Sequence, residues 1–148
     1  MQRSSSLAAC GILMALGCTA AFGQGAPAPP VSRFDGGWNI TVDCPSNSEP
    51  SGAKGYAYRL SGTVQDGLLV ASQGTPDAPG SLRIEGPIRP DGSADLRARG
   101  RTGDPDYAVK HPSSGTAYWY RIKAQFDEAK GTGTRMEARV CNIVFAKR

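Results

Sequence analysis

The sequence predicts an all-β protein, a single small up-and-down antiparallel barrel of about eight strands, with a β-sandwich of the same strands as the alternative. Three observations carry this prediction. Apolar and polar residues alternate in eight segments, and none has a sustained helical period. The segments are joined alternately by tight turns and by long loops rich in Gly, Pro and Ser. Two cysteines stand at the ends of the first and last segments.

The alternating segments define the strands in chain order. They cover residues 38–44, 56–64, 68–72, 82–88, 94–99, 118–126, 132–139 and 141–145. In the first, Trp38 and its even-numbered neighbours are apolar, so they are expected to point inward. In the seventh, Met136 and Ala138 are the apolar positions expected inside. Inward alanines are expected to leave room for a cavity: Ala94, Ala98, Ala124 and Ala138.

The connections predict how the two ends of the barrel differ. Asp66-Gly67 and Asp91-Gly92 are tight-turn sequences, and residues 127–131 form a third short connection. Residues 45–54, 74–80 and 100–116 are long loops. In a meander, alternate connections lie at opposite ends of the sheet. The three long loops are therefore expected to share one end, which we call the mouth.

Cys44 and Cys141 are expected to form a disulfide at this mouth. Cys44 ends the first predicted strand and Cys141 begins the eighth, so a closed barrel would make them neighbours. Two cysteines in an exported domain favour one bridge over two free thiols. The cysteine placement and the turn pattern agree, and this agreement favours the barrel over the sandwich.

Residues 1–23 have the features of a signal peptide. Arg3 precedes an uncharged apolar stretch over 7–22, which ends in the small-x-small sequence Ala21-Phe22-Gly23. The apolar stretch is shorter than the ~20 residues of a spanning helix, which argues against a membrane anchor. Residues 24–33 are expected to be a Pro-rich linker, and 34–148 the barrel domain. The protein is therefore expected in the periplasm or outside the cell.

Cys18 gives the leader an alternative interpretation. Ala15-Leu16-Gly17-Cys18 is loosely similar to the lipobox of bacterial lipoproteins, in which the cysteine is acylated. We expect a membrane association only if Cys18 carries lipid.

Charge and motifs exclude several functional classes. The formal net charge of +4 is far below that of a nucleic-acid-binding domain, so no nucleic-acid partner is expected. The row Arg97, Arg99 and Arg101 is interpreted as a solvated strand face. The sequence has no phosphate loop, dinucleotide fingerprint or metal-ligand pattern. We therefore expect no cofactor, no metal and a monomeric chain.

Aromatic residues at the mouth are the first candidates for ligand binding. Tyr56, Tyr58, Tyr118 and Tyr120 begin the second and sixth strands and are expected to point inward at the mouth. Their rings and hydroxyls suit a small polar or sugar-like ligand, but a plug of tyrosines that fills the end of a narrow barrel is the favoured interpretation. Trp119 is expected to point outward beside Arg121, a composition typical of protein-binding surfaces.

The loop before the sixth strand is the candidate for partner binding. Its residues of interest are Asp104, Asp106, Tyr107, Lys110, His111, Ser113 and Ser114. A Ser–His–Asp hydrolase is the remote alternative, because no nucleophile elbow or oxyanion-hole motif accompanies the single histidine. Asp104 and Asp106 lack the glycine and bidentate glutamate of a calcium loop, so ordinary turn formation is the favoured interpretation.

The mature region resembles two groups of proteins. It looks like small exported bacterial β-proteins of unassigned activity, a resemblance that implies architecture and no mechanism. The segments that carry it are Phe34-Asp35-Gly36-Gly37-Trp38, Thr41-Val42-Asp43-Cys44, Thr102-Gly103-Asp104-Pro105-Asp106-Tyr107 and Gly131-Thr132-Gly133-Thr134-Arg135. Ser113-Ser114-Gly115-Thr116-Ala117-Tyr118 is similar to the loop with which membrane-bound and periplasmic C-type lysozyme inhibitors enter the enzyme's cleft. That similarity implies Ser114 and Tyr118 as contact residues. Pro112, the Trp that follows Tyr118, and the lack of a downstream Lys-Gly depart from the pattern.

The sequence therefore predicts an exported, non-catalytic binding or scaffold module of the bacterial envelope. Its partner is expected to be a small ligand or an envelope protein. The alternative is a secreted inhibitor of a lytic enzyme such as lysozyme.

Overall fold

The computed structural model describes residues 30–47 and 52–148, in which eight antiparallel strands form one closed barrel. The strands are β1 (Gly36–Cys44), β2 (Tyr56–Gln65), β3 (Leu68–Gln73), β4 (Leu82–Pro87), β5 (Ser93–Arg101), β6 (Ala117–Phe126), β7 (Lys130–Arg135) and β8 (Asn142–Lys147). The predicted eight-stranded barrel is confirmed, and the sandwich alternative is wrong. The predicted signal peptide, Cys10, Cys18 and linker residues 24–29 lie outside the described residues.

The barrel closes between its first and last strands. β1 pairs with β8 from Trp38 opposite Lys147 to Asp43 opposite Asn142. Just beyond this ladder, Cys44 and Cys141 form a disulfide with an S–S distance of 2.01 Å. The predicted bridge is confirmed, and it joins the two closing strands at the mouth.

The end opposite the mouth is closed by tight turns, as predicted. Asp66 and Gly67 both have positive φ, 51° and 73°, which is the geometry of a type I′ hairpin turn. Gly67 also lies against the N-terminal segment, because a Cβ at this position would come within 2.8 Å of Val31 Cβ. The β2–β3 turn therefore requires glycine both for its backbone angles and for space.

Aromatic side chains fill this closed end. Phe126 contacts Trp38 edge-on at 5.5 Å between ring centroids and Phe145 at 4.6 Å. The indole Nε1 of Trp38 donates to the carbonyl of Phe34 at 2.9 Å, so the buried indole has a partner. Aliphatic residues fill the middle of the barrel: Ile40, Leu60, Ile84, Leu96, Ile122 and Ile143. The core thus changes from phenyl and indole rings, through aliphatic side chains, to tyrosines at the mouth.

Helical structure is limited to two short 3₁₀ helices in the described ranges, Val31–Phe34 and Pro105–Tyr107. The first includes residues 31–33 of the predicted linker and places Phe34 in the core. No helix in the described ranges is long and apolar enough to cross a membrane.

The seventh strand differs from its prediction in both extent and facing. β7 runs over Lys130–Arg135 and ends before Met136 and Ala138, which are both exposed. Ala138 nevertheless lines the cavity at the mouth, where it was expected to leave room. The odd-numbered β7 residues face the interior; they are Gly131, Gly133 and Arg135. A Cβ at Gly133 would come within 3.0 Å of Ile122 and 3.1 Å of Ala124. Close packing leaves room only for glycine at Gly131 and Gly133, so these inward positions carry no apolar side chain. The apolar pattern of this segment therefore predicted the wrong inward face.

Candidate functional site

The mouth contains a cavity of about 400 Å³, a size typical of small-molecule sites. It is lined by the starts of β2 and β6, by the end of β7 and its connection to β8, and by the β3–β4 and β5–β6 loops. Leu82 lies among the lining residues, whereas the inward Ala94, Ala98 and Ala124 pack within the core and do not line the cavity. The tyrosine mouth predicted from the topology is therefore an open cavity and not a complete plug.

Tyr56 and Tyr58 line one side of the cavity. The hydroxyl of Tyr58 donates to the carbonyl of Gly80, which joins β2 to the β3–β4 loop. Burial, with a smaller contribution from Tyr56, raises the pKa of Tyr58. The ring of Tyr56 meets Tyr107 edge-on at 6.3 Å between centroids. These contacts hold both rings in place, which favours a preformed site.

Tyr118 and Tyr120 differ in depth. Their rings stack with an interplanar angle of 5° and centroids 6.1 Å apart. Tyr118 lines the cavity, whereas Tyr120 is only 1% exposed and does not line it. Tyr118 lies against Gly100, where a Cβ would come within 2.6 Å of the Tyr118 hydroxyl. Three of the four predicted tyrosines therefore line the cavity, and Tyr120 lies beneath it.

Burial controls the ionisation of this stacked pair. It raises the pKa of Tyr118 to about 12, with smaller contributions from Tyr56 and Tyr58. Burial raises the pKa of Tyr120 as well, and the phenol of Tyr118 adds to that shift. Arg135 acts in the opposite direction on both phenols. At neutral pH Tyr58, Tyr118 and Tyr120 are therefore uncharged hydroxyl groups.

Arg135 is a cavity residue that the sequence did not identify. Its guanidinium carbon lies 4.2 Å from the centroid of the Tyr120 ring. Its Nε donates to the backbone carbonyl of Glu137 at 2.8 Å. The carboxylate of Glu137 is bound instead by Arg121, through Nε at 2.5 Å and the backbone N–H at 2.6 Å. Within residues 30–47 and 52–148, the two terminal nitrogens of Arg135 make no hydrogen bond or ion pair.

Arg139 lines the same cavity but is committed to structure. It donates to the carbonyls of Pro45 and Lys54 at 3.1 Å each and to that of Tyr107 at 2.8 Å. Its guanidinium carbon also lies 4.9 Å from the centroid of the Tyr56 ring. Arg139 thus fastens the β1–β2 loop to the β5–β6 loop at the mouth.

The predicted partner loop forms an ordered wall of the mouth. The carboxylate of Asp104 accepts from the N–H of Asp106 at 3.0 Å and so caps the 3₁₀ helix Pro105–Tyr107. Asp106 pairs with Lys54 at 2.6 Å. The hydrogen bond and charge of Lys54 hold the pKa of Asp106 below its usual value, and the same contacts raise that of Lys54. Both carboxylates therefore organise the loop, as the turn interpretation expected.

The polar residues later in this loop do not assemble a catalytic triad. The Nδ1 of His111 lies 3.1 Å from the carbonyl of Pro105, and Lys110 and His111 both adopt positive φ in the turn. The hydroxyl of Ser114 points to the carbonyl of Thr102 at 3.5 Å. Across the described ranges, no carboxylate or serine hydroxyl is hydrogen-bonded to His111. No group of three His, Cys, Asp or Glu residues there is placed to hold a metal ion.

Trp119 lies at the rim of the cavity and is 60% exposed. β6 pairs with β7 only from Ile122, opposite Arg135, so Trp119 precedes the paired part of β6 on this side. Its outward orientation agrees with the alternation in the sequence.

The segment that resembles the lysozyme-inhibitor loop is tied to the end of β5. Thr102 donates its N–H to the carbonyl of Thr116 at 2.9 Å and accepts from the N–H of Gly115 at 2.7 Å. Ser113 and Ser114 are exposed, whereas Tyr118 is half-buried in the mouth. No protein-family model, curated protein or solved structure matches this chain. Its function is therefore inferred from its own residues.

Proposed function

We propose that this protein is an exported, non-catalytic binding module whose mouth takes a small ligand. The observation that carries the proposal is the cavity of about 400 Å³ walled by Tyr56, Tyr58 and Tyr118. Flat apolar faces with a few fixed polar groups are the usual composition of a ligand site. The tyrosine contacts within the protein hold these walls in place without a ligand.

Binding accounts for these residues better than catalysis does. Near the mouth, Asp104 caps a 3₁₀ helix and Asp106 pairs with Lys54, so these charged groups serve the structure of the loop. Nδ1 of His111 contacts a backbone carbonyl, and no carboxylate or serine hydroxyl of residues 30–47 and 52–148 is hydrogen-bonded to the ring to assist proton transfer. The hydrolase alternative therefore gains no support from the loop geometry.

The disulfide supports the cellular location in this proposal. A bridge between Cys44 and Cys141 is stable in an oxidising compartment such as the periplasm. Together with the signal-peptide features of residues 1–23, it favours an envelope or secreted protein.

Native mass spectrometry of the protein isolated from its own host's envelope tests the binding function. We expect the folded chain to carry a small-molecule adduct. Ala108→Phe, which places a ring in the cavity wall, should remove the adduct. Ala129→Phe, at the tight-turn end, is the matched control and should keep it. A bare chain in both the natural protein and the control would contradict the proposal.

Inhibition of a C-type lysozyme is a second candidate, favoured by the exposed Ser113 and Ser114 on a hydrogen-bonded loop. If the protein inhibits lysozyme, Ser114→Ala should weaken inhibition while Ala108→Phe leaves it unchanged. Equal inhibition by the natural protein and Ser114→Ala would contradict this alternative.

A further inference from the structure

We propose that the ligand of the mouth is a small, flat, largely apolar molecule bearing one anionic group of the carboxylate or sulfonate type, which binds Arg135. This inference rests on the proposed binding function and names the class of ligand.

The charged residues around the cavity favour an anion. Arg101, Arg135 and Arg139 line it, with Asp104 as the one carboxylate among the lining residues of the described chain. Asp104 already accepts a hydrogen bond from Asp106 N–H. The positive excess attracts an anionic ligand, and the low-dielectric walls of a cleft strengthen that attraction.

Two of the three arginines are occupied by the fold. The side-chain hydrogen bonds of Arg139 go to carbonyls of the two neighbouring loops. Arg101 donates to the carbonyl of Gly115 at 3.2 Å and lies 3.7 Å from the carboxylate of Asp77. Of the three arginines, Arg135 is the one whose two terminal nitrogens make no hydrogen bond or ion pair within the described ranges.

Arg135 is also held in position for recognition. Its Nε is fixed by the carbonyl of Glu137, and one face of the guanidinium lies 4.2 Å from the Tyr120 ring centroid. The planar fork of an arginine binds a carboxylate or similar oxyanion through two parallel hydrogen bonds. The carboxylate of Glu137 interacts with the charge of Arg135 but is hydrogen-bonded to Arg121, so an entering oxyanion would give the half-buried guanidinium a directly bonded counter-ion.

The remaining walls define the other part of the ligand. Tyr58 and Tyr118 present ring surfaces, and Leu82 adds an aliphatic one. These surfaces favour a flat apolar body. A volume of about 400 Å³ admits one small molecule and excludes the body of a polysaccharide or folded protein.

Two fluorescent probes with the same aromatic skeleton test the proposal. One is 8-anilinonaphthalene-1-sulfonate, and the other is N-phenyl-1-naphthylamine, which lacks the sulfonate. Each probe is titrated into three samples of the full mature protein, which are the natural sequence, the Arg135→Gln variant and the Arg97→Gln variant. Arg97 lies exposed on the outer face of β5 and is the matched charge control.

We expect Arg135→Gln to weaken binding of the sulfonate probe at least about tenfold, the scale of one lost charge-assisted contact. The same substitution should change binding of the neutral probe less than about twofold, and Arg97→Gln should change neither. Equal effects of Arg135→Gln on both probes, or none on either, would overturn the anionic ligand while leaving the binding function standing.

Failure of the binding function has a different signature, in which neither probe binds the natural protein.

Circular dichroism melts establish that each variant is folded. If Arg135→Gln does not fold, Arg135→Lys is used in its place. Lysine keeps the positive charge but lacks the planar guanidinium that makes two parallel hydrogen bonds to an oxyanion. This variant should bind the sulfonate probe more weakly than the natural protein and the neutral probe equally well. Unchanged sulfonate binding would overturn the role of the Arg135 fork.

Discussion

Alkaline pH is expected to destabilise the barrel through Tyr118. Burial raises the pKa of this phenol to about 12 in the folded protein, whereas the unfolded chain has the ordinary value near 10.0. Below pH 10 the phenol is protonated in both states, so its full contribution to stability is present. Between the two pKa values the unfolded chain loses the proton first. Stability therefore falls as the pH rises through this window.

The size of the effect follows from these two pKa values. Proton linkage for a single group gives a loss of about 1 kcal/mol in the free energy of unfolding between about pH 9 and about pH 11. Burial raises the pKa of Tyr58 and of Tyr120 as well, so the natural protein should lose more than this amount. The part that belongs to Tyr118 is isolated by Tyr118→Phe, which keeps the stacked ring and removes the ionising hydroxyl.

Guanidinium unfolding at both pH values, followed by circular dichroism, measures the effect. The natural protein should lose about 1 kcal/mol more than Tyr118→Phe over this pH range. Tyr107→Phe, on an exposed ring of the partner loop, is the matched control and should behave as the natural protein does. If Tyr118→Phe loses as much stability as the natural protein, Tyr118 ionises normally and the mouth is more solvated than the structure indicates.

Three further predictions concern the mouth and its closure. The double variant Cys44→Ala/Cys141→Ala should lower the free energy of unfolding by up to about 4.7 kcal/mol, the chain-entropy value for a loop of this size; a change below about 1 kcal/mol would refute the stapling role. Acrylamide should quench the rim indole and spare the buried Trp38, so Trp119→Phe should remove most of the quenchable fluorescence. Arg139→Gln frees three loop carbonyls and should increase amide exchange in the β1–β2 and β5–β6 loops, with the β4 and β5 core amides unchanged; equal protection in those loops would contradict the fastening role.

The residues that could be predicted from the sequence are those whose signal is local. Period-2 alternation depends only on which face of a strand is buried, and the Asp66-Gly67 turn depends on backbone angles that these two residues adopt readily. Together they determined strand order, the mouth and the pairing of Cys44 with Cys141. The four tyrosines were correctly assigned to inward positions for the same reason.

The site itself depended on distances that only the tertiary structure sets. The inward positions of β7 include glycines because Ile122 and Phe126 leave no room for side chains there. The apolar pattern therefore predicted the wrong inward face for this strand, and Arg135 was not recognised as a residue of the interior. In the sequence, Arg135 looks like any polar residue of a strand. A long side chain of this kind can bury its carbon atoms and keep its charged end accessible, and neither property is visible in the alternation. Whether a tyrosine lines the cavity or lies beneath it depends on depth along the barrel axis, which alternation does not encode. The sequence by itself therefore determined which end of the barrel carries the long loops and the tyrosines. Packing between distant strands decided which residues line the cavity there.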